Sequence, residues 1–110
     1  MYLPNDSRAY VPLEKLVDYC LNPDHPRGRH KARVFLATLG ISSANAELLR
    51  GALLLAANTV EAVATESDAY GQRFVLDFPM VGPAGQATVR SSWIVRANED
   101  FPRLTSCYVR

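Results

Sequence analysis

No apolar run among the 110 residues approaches the roughly 20 needed to cross a bilayer, so no transmembrane helix is expected. The stretch Met1-Tyr2-Leu3-Pro4-Asn5-Asp6 lacks the basic and apolar regions of a secretory signal, and the expected location is the cytoplasm. Cysteine is scarce. Cys20 and Cys107 could form one bridge, but two buried free thiols in a reducing cytosol suit a chain without a signal better. No Cys/His cluster has metal-ligand spacing, so neither a metal nor any other cofactor is expected. There is no Gly-x-Ser-x-Gly elbow, no P-loop and no dinucleotide fingerprint. Gly82-Pro83-Ala84-Gly85 reads as a hairpin turn rather than a phosphate cradle. Internal repeats, low-complexity tracts and linkers are also missing.

What remains is an ordinary globular composition, 48% apolar and 21% charged, with a net charge of +1. Residues 1–110 are expected to form one domain of usual size, large enough for a single core. Of the 12 basic residues only Lys15 and Lys31 are lysines. Arginine pairs bidentately with phosphate and carboxylate, which hints at anion recognition. High-GC coding produces the same bias.

The pattern along the chain is α+β, with a helical half over 12–58 followed by a strand-rich half over 60–110. Residues 1–10 read as an extended arm. Pro12 suits a first helical position, and Leu13, Leu16, Val17, Cys20 and Leu21 then mark one face of an amphipathic helix. Asn22-Pro23 ends it. A second helix is expected over Arg29–Leu39, with Ala32, Phe35, Leu36 and Leu39 as its buried stripe and Gly40 as its stop. Ser42 or Ser43 can cap a third helix with Glu47 in its first turn. Apolar on more than one face, this helix reads as the central packing element. Four strands follow, over about 60–66, 73–78, 87–96 and 103–109, forming an antiparallel meander with one face covered by the helices.

The stretch from Tyr19 to Gly40 organises the functional reading. It contains both histidines, and between His25 and Arg33 it carries Arg27, Arg29, Lys31 and Arg33 with no carboxylate. A basic, histidine-bearing loop that enters a helix is a candidate for phosphate chemistry, because anions are favoured at helix N-termini. A solvated surface loop has the same composition. At about 100° per residue His30 points away from the apolar stripe, whereas Lys31 lies at its edge beside Phe35. There the stem can pack while the ammonium stays near a cleft. The second candidate region is the polar side of the sheet, where Arg73, Arg90 and Ser92 share a face with Thr105 or with Ser106 and Tyr108. Exposed antiparallel faces are usually only solvated. If Arg90 and a C-terminal hydroxyl met the His25–Lys31 loop, the group would suit RNA cleavage by transesterification. An imidazole can move the proton, and Lys and Arg can stabilise the phosphorane. Trp93 falls on the apolar face and reads as core, and Tyr19 and Tyr70 flank turns without an assigned role.

Leu16-x-x-Tyr19-x-Leu21-Asn22-Pro23-x-His25-Pro26-x-Gly28-x-x-Lys31-Ala32-x-x-Phe35, then Leu39-Gly40, resembles an uncharacterised bacterial family of small domains. Tyr70-Gly71, Gly82-Pro83-x-Gly85, Trp93-Ile94, Pro102-Arg103-Leu104-Thr105 and Tyr108 carry the resemblance to the end of the chain. Members occur as stand-alone proteins beside a small partner gene, and as C-terminal domains of polymorphic toxins and phage-head-like proteins. The resemblance therefore implies a toxin module. Its helices-then-meander order is similar to the barnase–EndoU–RelE superfold of metal-independent ribonucleases. On matching positions it implies His25, Gly28, Lys31, Trp93, Thr105 and Tyr108, with His25 and Lys31 as the acid/base or phosphate-contacting pair and Thr105 and Tyr108 lining the same cleft. With the sheet-face reading added, the expected site is His25, Lys31 and Thr105 as the catalytic group, with Gly28, Tyr108 and Arg90 toward substrate. The C-terminal run Thr105-Ser106-Cys107-Tyr108 departs mildly from the family's Thr-Ala-Tyr-Pro-like ending. The expected partners are RNA and a small cognate protein. The rival expectation is a non-catalytic module of a toxin–antitoxin or effector–immunity pair.

Overall fold

The computed structural model describes residues 1–110 and places the helices before a four-stranded antiparallel sheet of order β1-β2-β3-β4. The fold is α+β, as the patterning predicts. No helix is long and apolar enough to cross a membrane.

The first helix differs from its expectation. Pro12 stays extended, at φ −69° and ψ 128°, so α1 begins at Leu13, and after Leu13–Lys15 it widens into a π turn, Leu16–Cys20. The Leu21 N–H donates to the Leu16 carbonyl at 2.8 Å, closing that wider turn. Widening turns Leu16, Cys20 and Leu21 inward together and leaves Leu13 exposed, although a regular helix would have buried it with them. Helix α2 spans Arg29–Leu39, the expected bounds, and Gly40 ends it at φ +70°, where a side chain would be strained. Ala32, Phe35 and Leu39 are buried, but Leu36 is 57% exposed. The helix rests on the sheet along a narrow i, i+3, i+7 stripe that does not extend to Leu36. Ser42 caps a 3-10 turn, Ser43–Asn45, which leads into α3, Ala46–Thr59. This helix buries Leu49, Leu53, Ala56 and Ala57, while Leu48 and Leu55 face outward, so it packs by one face rather than all round.

The strands are β1 (Val63–Asp68), β2 (Gly71–Gly82), β3 (Gly85–Arg96) and β4 (Arg103–Val109). β1 starts three residues later than expected and is exposed throughout, because the helices cover only the other strands. Phe74, Leu76, Phe78 and Met80 of β2 meet Val89 and Trp93 of β3 on the covered face. Trp93 is core. Its indole N–H donates to Ser91 Oγ at 2.9 Å, and that hydroxyl donates to the Leu76 carbonyl at 3.1 Å, so neither buried polar group lacks a partner. β4 carries a bulge: Ser92 pairs with Ser106 but Trp93 pairs with Leu104, which leaves Thr105 extra. The bulge lets Leu104 and Cys107, an odd number of residues apart, both enter the core. The N-terminal arm is not simply extended. It makes a 3-10 turn at Asp6–Arg8, buries Leu3, and bridges β4 in parallel through Tyr10 and Arg103.

Candidate functional site

The loop between α1 and α2 is built around its histidine. His25 Nδ1 accepts from the backbone N–H groups of Arg27 and Gly28, each at 3.0 Å, and its ring stands edge-on to Tyr19 with centroids 4.8 Å apart. With Nδ1 held as an acceptor, the imidazole carries its proton on Nε2. In this geometry His25 fixes the loop that starts α2. Gly28 is buried, and a Cβ there would lie 2.1 Å from the Tyr19 carbonyl oxygen. The missing side chain lets the loop close onto the π turn.

That closure brings Lys31, half-buried at the edge of α2, against Tyr19. The ammonium donates to the Tyr19 hydroxyl at 2.7 Å and to Ser106 Oγ of β4 at 3.1 Å, and lies 4.7 Å from the Tyr19 ring centroid. Tyr19, His25, Lys31 and Ser106 thus form one half-buried cluster in which no carboxylate lies within ion-pair distance of Lys31. Sequence reasoning gave Tyr19 no role, and it left Ser106 as an alternative to Thr105 without pairing it with Lys31. Ser106 is 75 residues from Lys31, and no local spacing reports a contact that distant. Tyr19 stood inside the family-like run, which was the available signal.

The other predicted residues lie elsewhere. Arg90 donates through Nε and Nη2 to both carboxylate oxygens of Asp77, at 2.8 and 2.9 Å, and Arg110 adds a third bond to Asp77 at 2.7 Å. Arg90 stands directly across from Tyr108 in the β3–β4 ladder. Hydrogen bonds from Arg90 and then Arg110 hold the Asp77 carboxyl below its ordinary range despite partial burial. Thr105 Oγ1 donates to the Ser92 carbonyl at 3.0 Å. Thr105 also lines an open-face cavity of about 490 Å³ with Tyr70, Arg73, Ile94 and Arg96. The structure therefore brings Lys31, His25 and Gly28 together, and Arg90 with Tyr108. It joins Lys31 to the C-terminal strand through Ser106 rather than Thr105.

Charge pairing divides the molecule more sharply than the sequence suggested. The arginines outside the loop and α2 (Arg8, Arg50, Arg73, Arg90, Arg96, Arg103 and Arg110) each have a carboxylate within 4.0 Å. Arg27, Arg29 and Arg33 have none, and neither do Lys15 and Lys31. Unneutralised positive charge is confined to the first two helices and the loop joining them.

The chain belongs to the family described as a domain of unknown function, DUF6883, whose pattern matches residues 2–110. No curated protein matches it. Among solved structures, it is similar in fold to a chain of the contact-dependent growth inhibition toxin–immunity protein complex from Klebsiella pneumoniae 342. The TM-score is 0.68 at 16% identity, covering 91% of this chain and 98% of that one.

Proposed function

We propose that this chain is a toxin-like domain that cleaves RNA by metal-independent transesterification, with Lys31 at the centre of its site. The observation that carries this reading is the set of unpaired cations around an ammonium held in place by neutral hydroxyls. A lysine that spends its hydrogen bonds on Tyr19 and Ser106 keeps its whole charge for an incoming anion. In this reading Lys31 contacts the scissile phosphate and stabilises the phosphorane. The Tyr19 oxygen accepts from Lys31, so its own proton is free to pass to the departing 5′-oxygen, while the 2′-hydroxyl proton leaves to solvent. His25 and Gly28 position the loop. The strand runs on over β4 past Thr105, toward Tyr108 and Arg90. The family resemblance and the fold shared with a chain of a toxin–immunity complex support the toxin setting.

The test is incubation of the purified protein with total RNA and tRNA in EDTA, beside Lys31→Ala and His25→Asn. Discrete fragments ending in 2′,3′-cyclic phosphate are expected. Lys31→Ala should lower their yield about 100-fold or more. His25→Asn offers an amide oxygen where Nδ1 accepts, and should keep activity within about threefold. Intact RNA at high concentrations of folded protein would end the nuclease reading.

The same patch favours a second reading, a non-catalytic module that binds a small acidic partner protein. Its support is the run of Arg27, Arg29, Lys31 and Arg33 without a carboxylate between His25 and Arg33, which would steer such a partner as well as RNA. Complex formation with an acidic protein, without RNA cleavage, is the result that would select it.

A further inference from the structure

The nuclease reading gives no occupant to the open-face cavity of about 490 Å³, whose lining is unlike the Lys31 cluster. Its floor is Ile94, only 6% exposed. Trp93 points into the core, so Ile94 points to the other face of the sheet, where it is buried outside the core under the helices. Its wall is Tyr70, 74% exposed, more than any other aromatic side chain. That ring is open but its backbone is tied. The Tyr70 N–H donates to Asp68 Oδ1 at 2.9 Å, and the Tyr70 carbonyl accepts from the Ala97 N–H at 3.0 Å. An aromatic face held in this way needs little further ordering to stack on a ligand. Charge at the cavity is balanced, since Arg73 lies 3.5 Å from Asp68 and Arg96 lies 3.9 Å from Glu99. A phosphate would gain less here than among the unpaired cations of the loop and α2. A planar, uncharged group gains more, because it can lie on the ring and on the flat guanidinium of Arg73. For its edge, the Asn98 amide supplies a donor and an acceptor, and Thr105 Oγ1, which donates to the Ser92 carbonyl, can accept. The volume lies in the ordinary range of small-molecule sites. A smaller cavity of about 260 Å³ shares Arg73 and Thr105 with it and reaches Ser106, whose Oγ accepts from Lys31.

We propose that this cavity is a nucleobase subsite, in which a base next to the cleaved bond stacks on Tyr70 over Ile94 while the phosphates stay with Lys31. The subsite lies toward the rung of Arg73, Ile94 and Arg103, at the opposite end of the open face from the rung of Asp77, Arg90 and Tyr108. A strand held at Ser106 and Thr105 is thus gripped on both sides of the bond that breaks. The inference rests on the nuclease reading for the source of the base, an RNA strand, and on the cavity alone for its binding. Every base has a π-face, so the subsite anchors a strand without selecting its sequence.

The test measures binding to the intact chain, without cleavage, from the NMR signals of the ligand. The probes are adenosine, inorganic phosphate, N-acetyl-tryptophanamide, and a 2′-O-methyl tetra-adenylate whose blocked hydroxyls prevent transesterification. Adenosine should bind saturably. Tyr70→Ala, a change at an exposed side chain, should weaken it about tenfold, and Tyr70→Phe, which keeps the stacking face, should leave it within about twofold. A tenfold excess of inorganic phosphate should not displace it. The tetranucleotide should displace adenosine at a concentration at least about tenfold lower, because its neighbouring units reach Lys31. No saturation by about 5 mM adenosine, equal binding to Tyr70→Ala, displacement by phosphate, or equal affinity for N-acetyl-tryptophanamide would overturn the subsite. A tetranucleotide that binds no better than adenosine would overturn its place on a strand. Intact RNA alongside the expected binding would end the nuclease reading alone, and cleavage without that binding would end the subsite alone.

Discussion

Positive charge is held in two ways on this molecule. On the open face of the sheet Arg90 forks onto Asp77 and Arg110 joins it, so each guanidinium there is answered by a carboxylate. At the junction of the π turn, α2 and β4, Lys31 is just as well ordered but by hydroxyls, which fix position without cancelling charge. The first arrangement spends charge on structure. The second keeps it available, which is what stabilising a developing phosphorane requires.

The largest test of that contrast is a paired substitution. Lys31→Met should lower RNA cleavage about 100-fold or more, while Arg90→Gln should lower it by about threefold or less, and through KM. Equal losses would erase the distinction between the two regions. Next in size are the hydroxyls that hold the ammonium. Tyr19→Phe removes the nearer acceptor and the transferable proton and should cost about tenfold in kcat, with Ser106→Ala nearer threefold. A third test concerns acid. The Asp77 carboxyl lies below its ordinary range in the folded chain, so its contribution is fully present above the unfolded value of about 4 and is lost as pH falls through the folded one. Urea midpoints should therefore fall below about pH 4, and Asp77→Asn should flatten that limb. Lys31→Met should leave it unchanged. The smallest effect is on salt dependence. Arg27→Ala and Arg29→Ala should each reduce the slope of log K against log salt for single-stranded RNA by about 0.7. Arg73→Ala, which loses a cation already paired with Asp68, should change it less.

The sequence was most legible where a signal is local. The bounds of α2 followed from a stripe of Ala32, Phe35 and Leu39 and from Gly40, and β3 followed from the alternation of residues 87–96. Local signals failed where tertiary packing chose among equivalent apolar residues. Leu36, Leu48 and Leu55 are as greasy as their buried neighbours, and only the helix placements leave them outside. The π turn was invisible because a regular helix satisfies the same spacing. For the candidate site, periodicity put Lys31 at a helix edge, but its partners depend on one close backbone approach at Gly28 and one contact across the chain to Ser106. Arg90 read as free because the sequence does not show that Asp77 stands opposite it in the ladder.

The bulge in β4 bears on how this chain can change length. Thr105 is the residue without a cross-strand counterpart, and the pairs on either side of it, Ser92 with Ser106 and Trp93 with Leu104, are already adjacent on β3. Deleting it would restore strict alternation, with Leu104 and Cys107 still facing inward, so the core has no use for the extra residue. Adding a residue elsewhere in the strand would instead turn Cys107 toward solvent. Length is therefore free to contract at one point of β4 and nowhere free to grow. What a contraction would remove is the threonine beside Arg73 in the open-face cavity, a loss felt by whatever occupies that cavity and not by the fold.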